Sequence, residues 1–197
     1  MTVDRWDALS PHELRGLMEG FAAPWWVAGG WALDLFLGGQ TRQHGDIDIA
    51  ILRGDQLALR EHLAGWDVHV AHKGELTPWA PGDWLMAPRH QFWARRSPEE
   101  AWSLEILLED REGDDWLFRK QPSLRMPLRA VGGATADGIR YMSPEVVLLY
   151  KANAPELARN AADFDVGAPA LHAAARSWLR ASISVVYPGH SWLGRLA

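Results

Sequence analysis

The sequence predicts a mixed α and β domain followed by a helical C-terminal extension. Three observations predict this class. Short apolar runs alternate with helical patterns in the first part of the chain, Ser143-Pro144-Glu145 marks a new helix start, and alanine-rich stretches follow at 155–163 and 168–183. The 197 residues, 48% of them hydrophobic, are enough for a packed core. We therefore expect an α/β domain over residues 1–142 and a helical extension over residues 143–197 packed on it.

The first elements are predicted as helix, strand, glycine pair and helix. Ser10-Pro11-His12-Glu13 has the capping-box pattern, which predicts a helix from Pro11 to Phe21. The apolar run W25-W-V-A28 predicts a strand that ends at Gly29-Gly30. The segment W31-A-L-D-L-F-L37 has helical spacing and ends at Gly38-Gly39, so a second helix is expected there.

The remaining elements of the first part are mainly strands. D46-I-D-I-A-I-L52 alternates at its start and is rich in isoleucine, which predicts a strand with one polar and one buried face. A helix is expected from Gly54 to Leu63, ended by Gly65. Further strands are predicted at 67–71, 91–95, 102–108, 116–120 and 127–131. The tail 187–193 contains turn residues and Trp192, which predicts a loop that covers the last helix.

Composition excludes several classes of protein. The net charge of -5 and pI near 5.9 provide no long-range attraction for nucleic acid. The chain has no cysteine, so disulfides and cysteine-based zinc sites are excluded. Residues 1–10 lack the basic start and apolar run of a signal peptide, and no apolar stretch reaches the length of a membrane span. We expect a cytoplasmic protein with neither a nucleic acid nor a membrane as its partner.

The aspartates Asp46 and Asp48 are the first candidate for a chemical site. Side chains at positions i and i+2 of a strand point to the same face, so the two carboxylates should lie side by side. Mg²⁺ prefers oxygen ligands and is commonly held by one or two carboxylates together with substrate phosphates. The pair alone is a weak signal, because a solvent-facing pair at a sheet edge has the same sequence pattern.

Two further features strengthen the interpretation as a nucleotide site. The Gly29-Gly30 pair lies between a strand and a helix, where backbone N–H groups and the helix N-terminus can bind phosphate; an ordinary tight turn is the alternative. Glu105 is an isolated acid within W102-S-L-E-I-L-L108, so it is the candidate third carboxylate, either as metal ligand or as general base. A surface glutamate on an edge strand is the alternative. Glu109 and Asp110 are weaker candidates for the same role.

Basic side chains near these acids could bind phosphate. Arg42 could hold a phosphate oxygen and His44 could orient a ligand, although either could instead pair with Asp46 or Asp34. Lys151 lies in the apolar segment L148-L-Y-K-A152, from which it could reach a triphosphate or extend to solvent.

The sequence does not decide which molecule accepts the nucleotide or which residues would bind it. An acidic cluster could bind a cationic acceptor, or it could be a solvated loop: Glu109, Asp110, Glu112, Asp114 and Asp115. Three tryptophans could line an acceptor groove or fill the core: Trp79, Trp84 and Trp93.

The segments W26-V-A-G-G-W-A-L-D34 and G38-G-Q-T-R-Q-H-G-D-I-D-I49 resemble a known family. They are similar to antibiotic nucleotidyltransferases of the aminoglycoside-2″-adenylyltransferase and lincosamide nucleotidyltransferase type, within the polymerase-β-like superfamily. The resemblance implies an α+β fold in which a small mixed sheet is flanked by helices. It also implies Mg²⁺ bound by Asp46 and Asp48, with Glu105 at the position of a third acidic residue that serves as metal ligand or base. ATP or another nucleoside triphosphate would be the co-substrate, with its phosphates near Gly29-Gly30.

The resemblance implies an enzyme that transfers a nucleoside monophosphate to a hydroxyl of a small molecule, with aminoglycosides and lincosamides as candidate acceptors. Lys151 and Asp163-Phe164 match the helical part of similar proteins, but the pair Arg159-Asn160 has an asparagine where they carry an acid. That departure leaves a second interpretation open, a nucleotide-binding regulatory protein without catalysis, as in toxin–antitoxin pairs. A third is a glycosyltransferase, which would leave the glycine pair without a role.

Overall fold

The computed structural model describes residues 5–197. Met1, Thr2, Val3 and Asp4, which begin the segment considered for a signal peptide, lie outside the described residues. The helices are α1 Pro11–Leu17, α2 Gly29–Leu37, α3 Gln56–His62, α4 Pro144–Lys151, α5 Ala158–Ala170 and α6 Ala173–Val186. Within residues 5–197, no helix combines the length and apolar character needed to cross a bilayer.

The strands form one mixed sheet. Their bounds are β1 Trp25–Val27, β2 Asp48–Leu52, β3 Asp67–His72, β4 Glu75–Pro78, β5 Gln91–Arg95, β6 Leu104–Glu112, β7 Asp115–Leu117, β8 Arg125–Pro127, β9 Gly132–Ala134 and β10 Arg140–Met142. Eight of them lie in the order β4-β3-β5-β6-β2-β1-β10-β9, and β7 continues from β6 to pair with β8. The predicted α+β class, a mixed sheet flanked by helices, is confirmed.

The strand β2 lies between β1 and β6 and faces a hydrophobic cluster on each side. Ile49 and Ile51 belong to a cluster shared with α1 and α3, whereas Ala50 and Leu52 belong to a cluster shared with α2 and the C-terminal helices. This division follows from the strand period of two. The C-terminal helices thus cover the sheet face on which Asp48 lies. The division of the chain at residues 142 and 143 stays a prediction.

The N-terminal elements fold close to their predicted bounds. The capping box of α1 is present, since Ser10 Oγ accepts from the Glu13 backbone N–H and Glu13 accepts from the Ser10 backbone N–H. The helix α1 ends at Leu17, before the predicted Phe21. Gly29 and Gly30 are the first two residues of α2 and not a separate turn, and Gly38 ends the helix in the left-handed conformation.

Some predicted elements were wrong, and others had no prediction. The strand expected over 127–131 is a strand only to Pro127, because Leu128–Ala130 form a 3₁₀ turn. The strand expected over 116–120 is shorter, Asp115–Leu117, and the strands β4, β9 and β10 were not predicted. The tail was predicted correctly: Trp192 is buried and stacks on Phe164 at a centroid distance of 4.1 Å.

Candidate active site

The glycine pair brings the start of α2 against β2. The Ala28 N–H donates to the Asp48 carbonyl at 2.8 Å, so the end of β1 is joined to the first residue of β2. Gly29 has φ +60, and a Cβ built on it would overlap Asp48 Oδ2 and lie 2.9 Å from Asp48 Cγ. A Cβ on Gly30 would overlap Arg42 Nη2 and lie 2.5 Å from His44 Cε1. Glycine at both positions allows this close approach of the site side chains.

Three carboxylates meet beside this glycine pair. Asp48 is opposite Glu105 in the parallel register of β2 and β6. Asp46 lies two residues before β2, so the prediction that both aspartates lie on one strand was wrong for Asp46. Each of the three residues has one carboxylate oxygen in a group whose members all lie within 4.8 Å of one another. Oxygen ligands at this spacing suit a divalent cation such as Mg²⁺.

The three acids repel one another when no cation lies between them. Burial, followed by the charge of Asp46, raises the pKa of Asp48 to about 7. Burial, followed by the charges of Asp48 and Asp46, raises the pKa of Glu105 to about 8. Gln91 Nε2 donates to Glu105 Oε1 at 2.7 Å and favours the charged form. A bound cation would favour the charged form of all three carboxylates.

Asp163 of α5 holds two cationic side chains at the edge of the site. Arg42 donates to it from Nε at 2.7 Å and from Nη2 at 2.9 Å, and Lys151 Nζ lies 2.7 Å from Asp163 Oδ2. Burial alone would raise the pKa of Asp163, but the hydrogen bonds from Arg42 and Lys151 lower it below its usual value. The sequence identified both cations as candidates and did not identify Asp163 as the residue that orients them.

Of the two roles considered for His44, orienting a ligand or pairing with an aspartate, the structure shows pairing with Asp34. Its Nε2 lies 2.6 Å from Asp34 Oδ2, both side chains are buried, and its ring stacks on Trp31 at 4.5 Å. The other Asp34 oxygen accepts from the backbone and the hydroxyl of Thr41. His44 is not among the residues that line the cavity described next, and its contacts hold the loop between α2 and β2.

A cavity of about 540 Å³ opens between the sheet and α4. Gly29, Gly30 and the three carboxylates line it, as do Arg42 and Lys151. Most of the candidate site residues therefore share one space. The lining also contains residues that the sequence did not single out: Gln91, Leu107, Arg119, Met142, Val147 and Tyr150.

Glu109 lies at the other end of the cavity, four residues beyond Glu105 on β6. It is fully buried and accepts hydrogen bonds from Trp116 Nε1 at 2.7 Å and from the Tyr150 hydroxyl at 2.6 Å. It is not a member of the carboxylate group formed by Asp46, Asp48 and Glu105.

The rest of the acidic cluster does not line the cavity. Asp110 is held by Arg53, and Glu112 pairs with Arg125 on the surface. Of the three tryptophans considered for a groove, none lines the cavity: Trp79 is buried against Phe92, Trp84 is exposed, and Trp93 packs against Trp6 and Trp102.

Asn160 forms structural hydrogen bonds for which a charged side chain is not required. Its Nδ2 donates to the Ala154 carbonyl at 2.9 Å and to the Lys151 carbonyl at 3.4 Å, so it ties the end of α4 to the start of α5. The neighbouring Arg159 is exposed and also lines the cavity.

Comparisons with known proteins agree with this fold. A family profile described as aminoglycoside-2″-adenylyltransferase matches residues 12–75. Curated 2″-aminoglycoside nucleotidyltransferases of Escherichia coli and Klebsiella pneumoniae are 33% identical over 93 residues, which is 46% of this chain and 51% of theirs. The chain thus matches about half the length of these curated relatives.

Solved structures resemble the chain over most of its length. The solution structure of the antibiotic-resistance factor ANT(2″)-Ia has a TM-score of 0.57 at 19% identity, covering 89% of this chain and 90% of that one. The crystal structure of ANT(2″)-Ia in complex with adenylyl-2″-tobramycin has a TM-score of 0.55 at 20% identity, covering 88% and 95%. The lincomycin-bound lincosamide antibiotic adenylyltransferase LnuA has a TM-score of 0.54 at 20% identity, covering 79% and 92%.

The mixed sheet, the glycine start of α2 and the matches to solved structures define the class of the chain, which has the nucleotidyltransferase fold. Its N-terminal part is similar to the aminoglycoside-2″-adenylyltransferase family and to the curated 2″-aminoglycoside nucleotidyltransferases. The resemblance stated from the sequence is thereby confirmed.

Proposed function

We propose that this chain is a Mg²⁺-dependent nucleotidyltransferase that moves a nucleoside monophosphate, with ATP as the donor, to a hydroxyl of a small molecule. The observation that carries the proposal is the group of Asp46, Asp48 and Glu105 beside the helix start at Gly29-Gly30, all facing one cavity. Metal ligands and a phosphate-binding helix start are the two parts that nucleotidyl transfer requires.

The three carboxylates fit a magnesium ion. Their oxygens lie within 4.8 Å of one another, and burial, followed by the charges of the neighbouring carboxylates, raises the pKa values of Asp48 and Glu105. Asp46, Asp48 and Glu105 would hold Mg²⁺, which when bound supplies charge neutralisation at the phosphate oxygens.

The side of the cavity near α2 suits the triphosphate. Gly29 and Gly30 begin α2 and have no side chains of their own, and the positive end of the helix dipole favours an anion there. Arg42 and Lys151 line the same side and are held in place by Asp163. These groups would bind the nucleotide phosphates and orient the α-phosphorus for attack.

Glu105 is positioned to act as the general base. The acceptor hydroxyl oxygen attacks the α-phosphorus in line, the bond to the leaving pyrophosphate oxygen breaks, and the hydroxyl proton passes to Glu105. The hydrogen bond from Gln91 fixes one oxygen of Glu105, which leaves the other for the metal or the proton.

We propose that the acceptor is a small molecule. A cavity of about 540 Å³ has the size of a small-molecule site. Similar proteins are named for aminoglycosides and lincosamides, so antibiotic modification, and with it resistance, is the proposed role. The cytoplasmic location stays a prediction.

The interpretation as a non-catalytic regulatory protein is not favoured. All three carboxylates are present and grouped, and Asn160, the residue that suggested loss of function, donates hydrogen bonds to backbone carbonyls that an ionised carboxylate could not donate.

The substitution Asp48→Asn tests the proposal. It removes one metal-binding charge without changing side-chain size, so we expect Mg²⁺-dependent pyrophosphate release to fall by about 100-fold or more. Asp165→Asn is the matched control, since Asp165 is an exposed residue of α5 paired with Arg195. Circular dichroism establishes that both variants fold. Pyrophosphate release by Asp48→Asn at the rate of the control would contradict the proposal.

A further inference from the structure

The tail segment 187–193 contacts both helices that carry the ion pair of Lys151 and Asp163. Lys151 is the last residue of α4, Asp163 lies within α5, and Lys151 Nζ is 2.7 Å from Asp163 Oδ2. Along the chain, the residue after Lys151 is Ala152 and the residue after Asp163 is Phe164. The tail touches both of these following residues.

His190 of the tail holds the end of α4. Its Nε2 donates to the Ala152 carbonyl at 2.9 Å, and its Nδ1 accepts from the Trp192 backbone N–H at 3.0 Å. The last carbonyls of a helix have no partner within the helix, so an outside donor fixes the position of the final turn. Ala152 is buried and is the C-cap residue of α4. The His190 ring therefore fixes the backbone from which the Lys151 side chain extends.

Trp192 of the tail fixes the rotation of α5. Its ring stacks on Phe164 at a centroid distance of 4.1 Å and an interplanar angle of 18°, and both side chains are buried. Successive side chains of a helix point about 100° apart, so the direction of Phe164 sets the direction of Asp163. A rotation of α5 that moved Asp163 away from Lys151 would also break the stacked pair.

Lys151 depends on this support because its side chain is long and flexible. A lysine ammonium on a four-carbon stem has no fixed position of its own, and here Asp163 and the backbone of α4 together determine where the ammonium lies. Lys151 lines the cavity on the side proposed for the triphosphate. A displacement of about 1 Å in such a group is enough to weaken its contact with a phosphate.

We infer that His190 and Trp192 are positioning residues for nucleotide binding, which hold α4 and α5 so that Lys151 and Asp163 keep the arrangement that receives the triphosphate. The inference rests on the proposed function. Neither His190 nor Trp192 is among the residues that line the cavity, so both act through the ion pair and not by contact with the nucleotide.

The test measures how tightly variants of the tail bind the α,β-methylene analogue of ATP in the presence of Mg²⁺, by calorimetry. His190→Ala removes the donor to α4, and Trp192→Leu removes the stacked ring. His190→Gln is the conservative variant, since its amide can donate to the Ala152 carbonyl. Circular dichroism and unfolding in urea establish that each variant folds and how much stability it loses.

The chain offers a matched control for each tail variant. His62 Nε2 donates to the Leu17 carbonyl at the end of α1 at 2.8 Å, which is the same kind of contact as that of His190. Trp79 stacks on Phe92 at 4.3 Å and 15°, and it is as buried as Trp192. Neither control residue lines the cavity. His62→Ala and Trp79→Leu therefore remove equivalent contacts at a distance from the site.

We expect His190→Ala and Trp192→Leu each to weaken binding of the analogue about tenfold, the loss that corresponds to one charge-assisted hydrogen bond. His190→Gln should restore most of the affinity. His62→Ala and Trp79→Leu should bind the analogue as tightly as the native protein does, although they lose as much stability in urea as the tail variants. Native affinity in both tail variants, or equal weakening by the controls, would overturn the inference.

A double-mutant cycle separates positioning from a general loosening of the fold. Lys151→Met removes the cation that His190 is inferred to position, so His190→Ala should cause little further loss of affinity in that background. The same loss with and without the Lys151 side chain would show that His190 does not act through it, and the inference would fail.

Failure of the proposed function is recognised separately. If the native protein does not bind the analogue in the presence of Mg²⁺, the nucleotidyltransferase proposal fails, and this inference fails with it. If the native protein binds the analogue and the tail variants match their controls, only the inference about the tail fails.

Discussion

Gly29→Ala is the sharpest test of the site geometry, because the chain contains a matched control. Gly29 and Gly38 are the two ends of α2 and both have positive φ, +60 and +77. A Cβ at Gly38 has no atom within 4 Å, whereas a Cβ at Gly29 would overlap Asp48 Oδ2. Alanine at either position causes backbone strain, but only alanine at Gly29 displaces the Asp48 carboxylate, which we propose as a metal ligand.

The two effects can be estimated separately. Alanine in the left-handed region costs about 1–2 kcal/mol, so both variants should lose about that much unfolding free energy. At Gly29 the added Cβ lies 2.9 Å from Asp48 Cγ, below the 3.4 Å at which ordinary contact begins, and the oxygen must move further still. Mg²⁺ tolerates little departure from ideal geometry, and a misplacement of about 1 Å costs roughly 100-fold in rate.

The assay is Mg²⁺ titration of pyrophosphate release, with unfolding in urea measured on the same samples. We expect Gly38→Ala to keep the native rate and Gly29→Ala to lose about 100-fold in kcat/KM with weaker Mg²⁺ dependence, at similar stability. If Gly29→Ala matched Gly38→Ala in both rate and Mg²⁺ requirement, the assignment of Asp48 as a ligand held against Gly29 would be refuted.

Two further predictions concern charge. Folding raises the pKa of Asp48 to about 7 and that of Glu105 to about 8. The metal-free protein should therefore be most stable at a pH below the pKa values that these acids have in the unfolded chain, and it should lose stability as the pH rises from there through 7 and 8. A tenfold change in proton affinity corresponds to about 1.4 kcal/mol, and we expect a net loss of about 1–3 kcal/mol because the two carboxylates are partly exposed. Thermal unfolding in EDTA measures this loss of stability. The prediction is contradicted if the melting temperature does not decrease as the pH is raised from about 5 to 8, or if Mg²⁺ does not restore it. Asp163→Asn leaves two cations without their anion and should cost about 3 kcal/mol in urea unfolding while raising KM for ATP. Asp165→Asn is its control and should cost less than about 1 kcal/mol; equal losses in the two variants would show that Asp163 has no special role.

Local patterns were enough to predict which carboxylates and glycines lie together in the candidate site. The alternation of β2 and the apolar run around Glu105 each specify a face within a few residues, and parallel pairing then brings Asp48 opposite Glu105. The same reasoning placed the glycine pair next to these strands. The first residue of α2 was not predicted. Its N-cap is Ala28, whose side chain cannot cap a helix, so the sequence did not show that the helix begins at Gly29.

Long-range pairings were beyond local patterns. Arg42 is oriented by Asp163, 121 residues later, and no spacing rule connects them. The strands β9 and β10 are three residues each, and β9 is largely glycine, so they have no strand signal and form by pairing at the edge of the sheet. Pro127 ends a strand that the apolar content of 127–131 had suggested.

The cavity is assembled from separate stretches of the chain. Gly29, Asp46 and Asp48 lie within the span 12–75 that the family profile matches, whereas Glu105, Glu109 and Lys151 lie outside it. The carboxylate group and the cationic side chains near α2 both include residues that later strands and helices supply. Neither stretch can form the site without the other, so the site exists only once the whole sheet and α4 have come together.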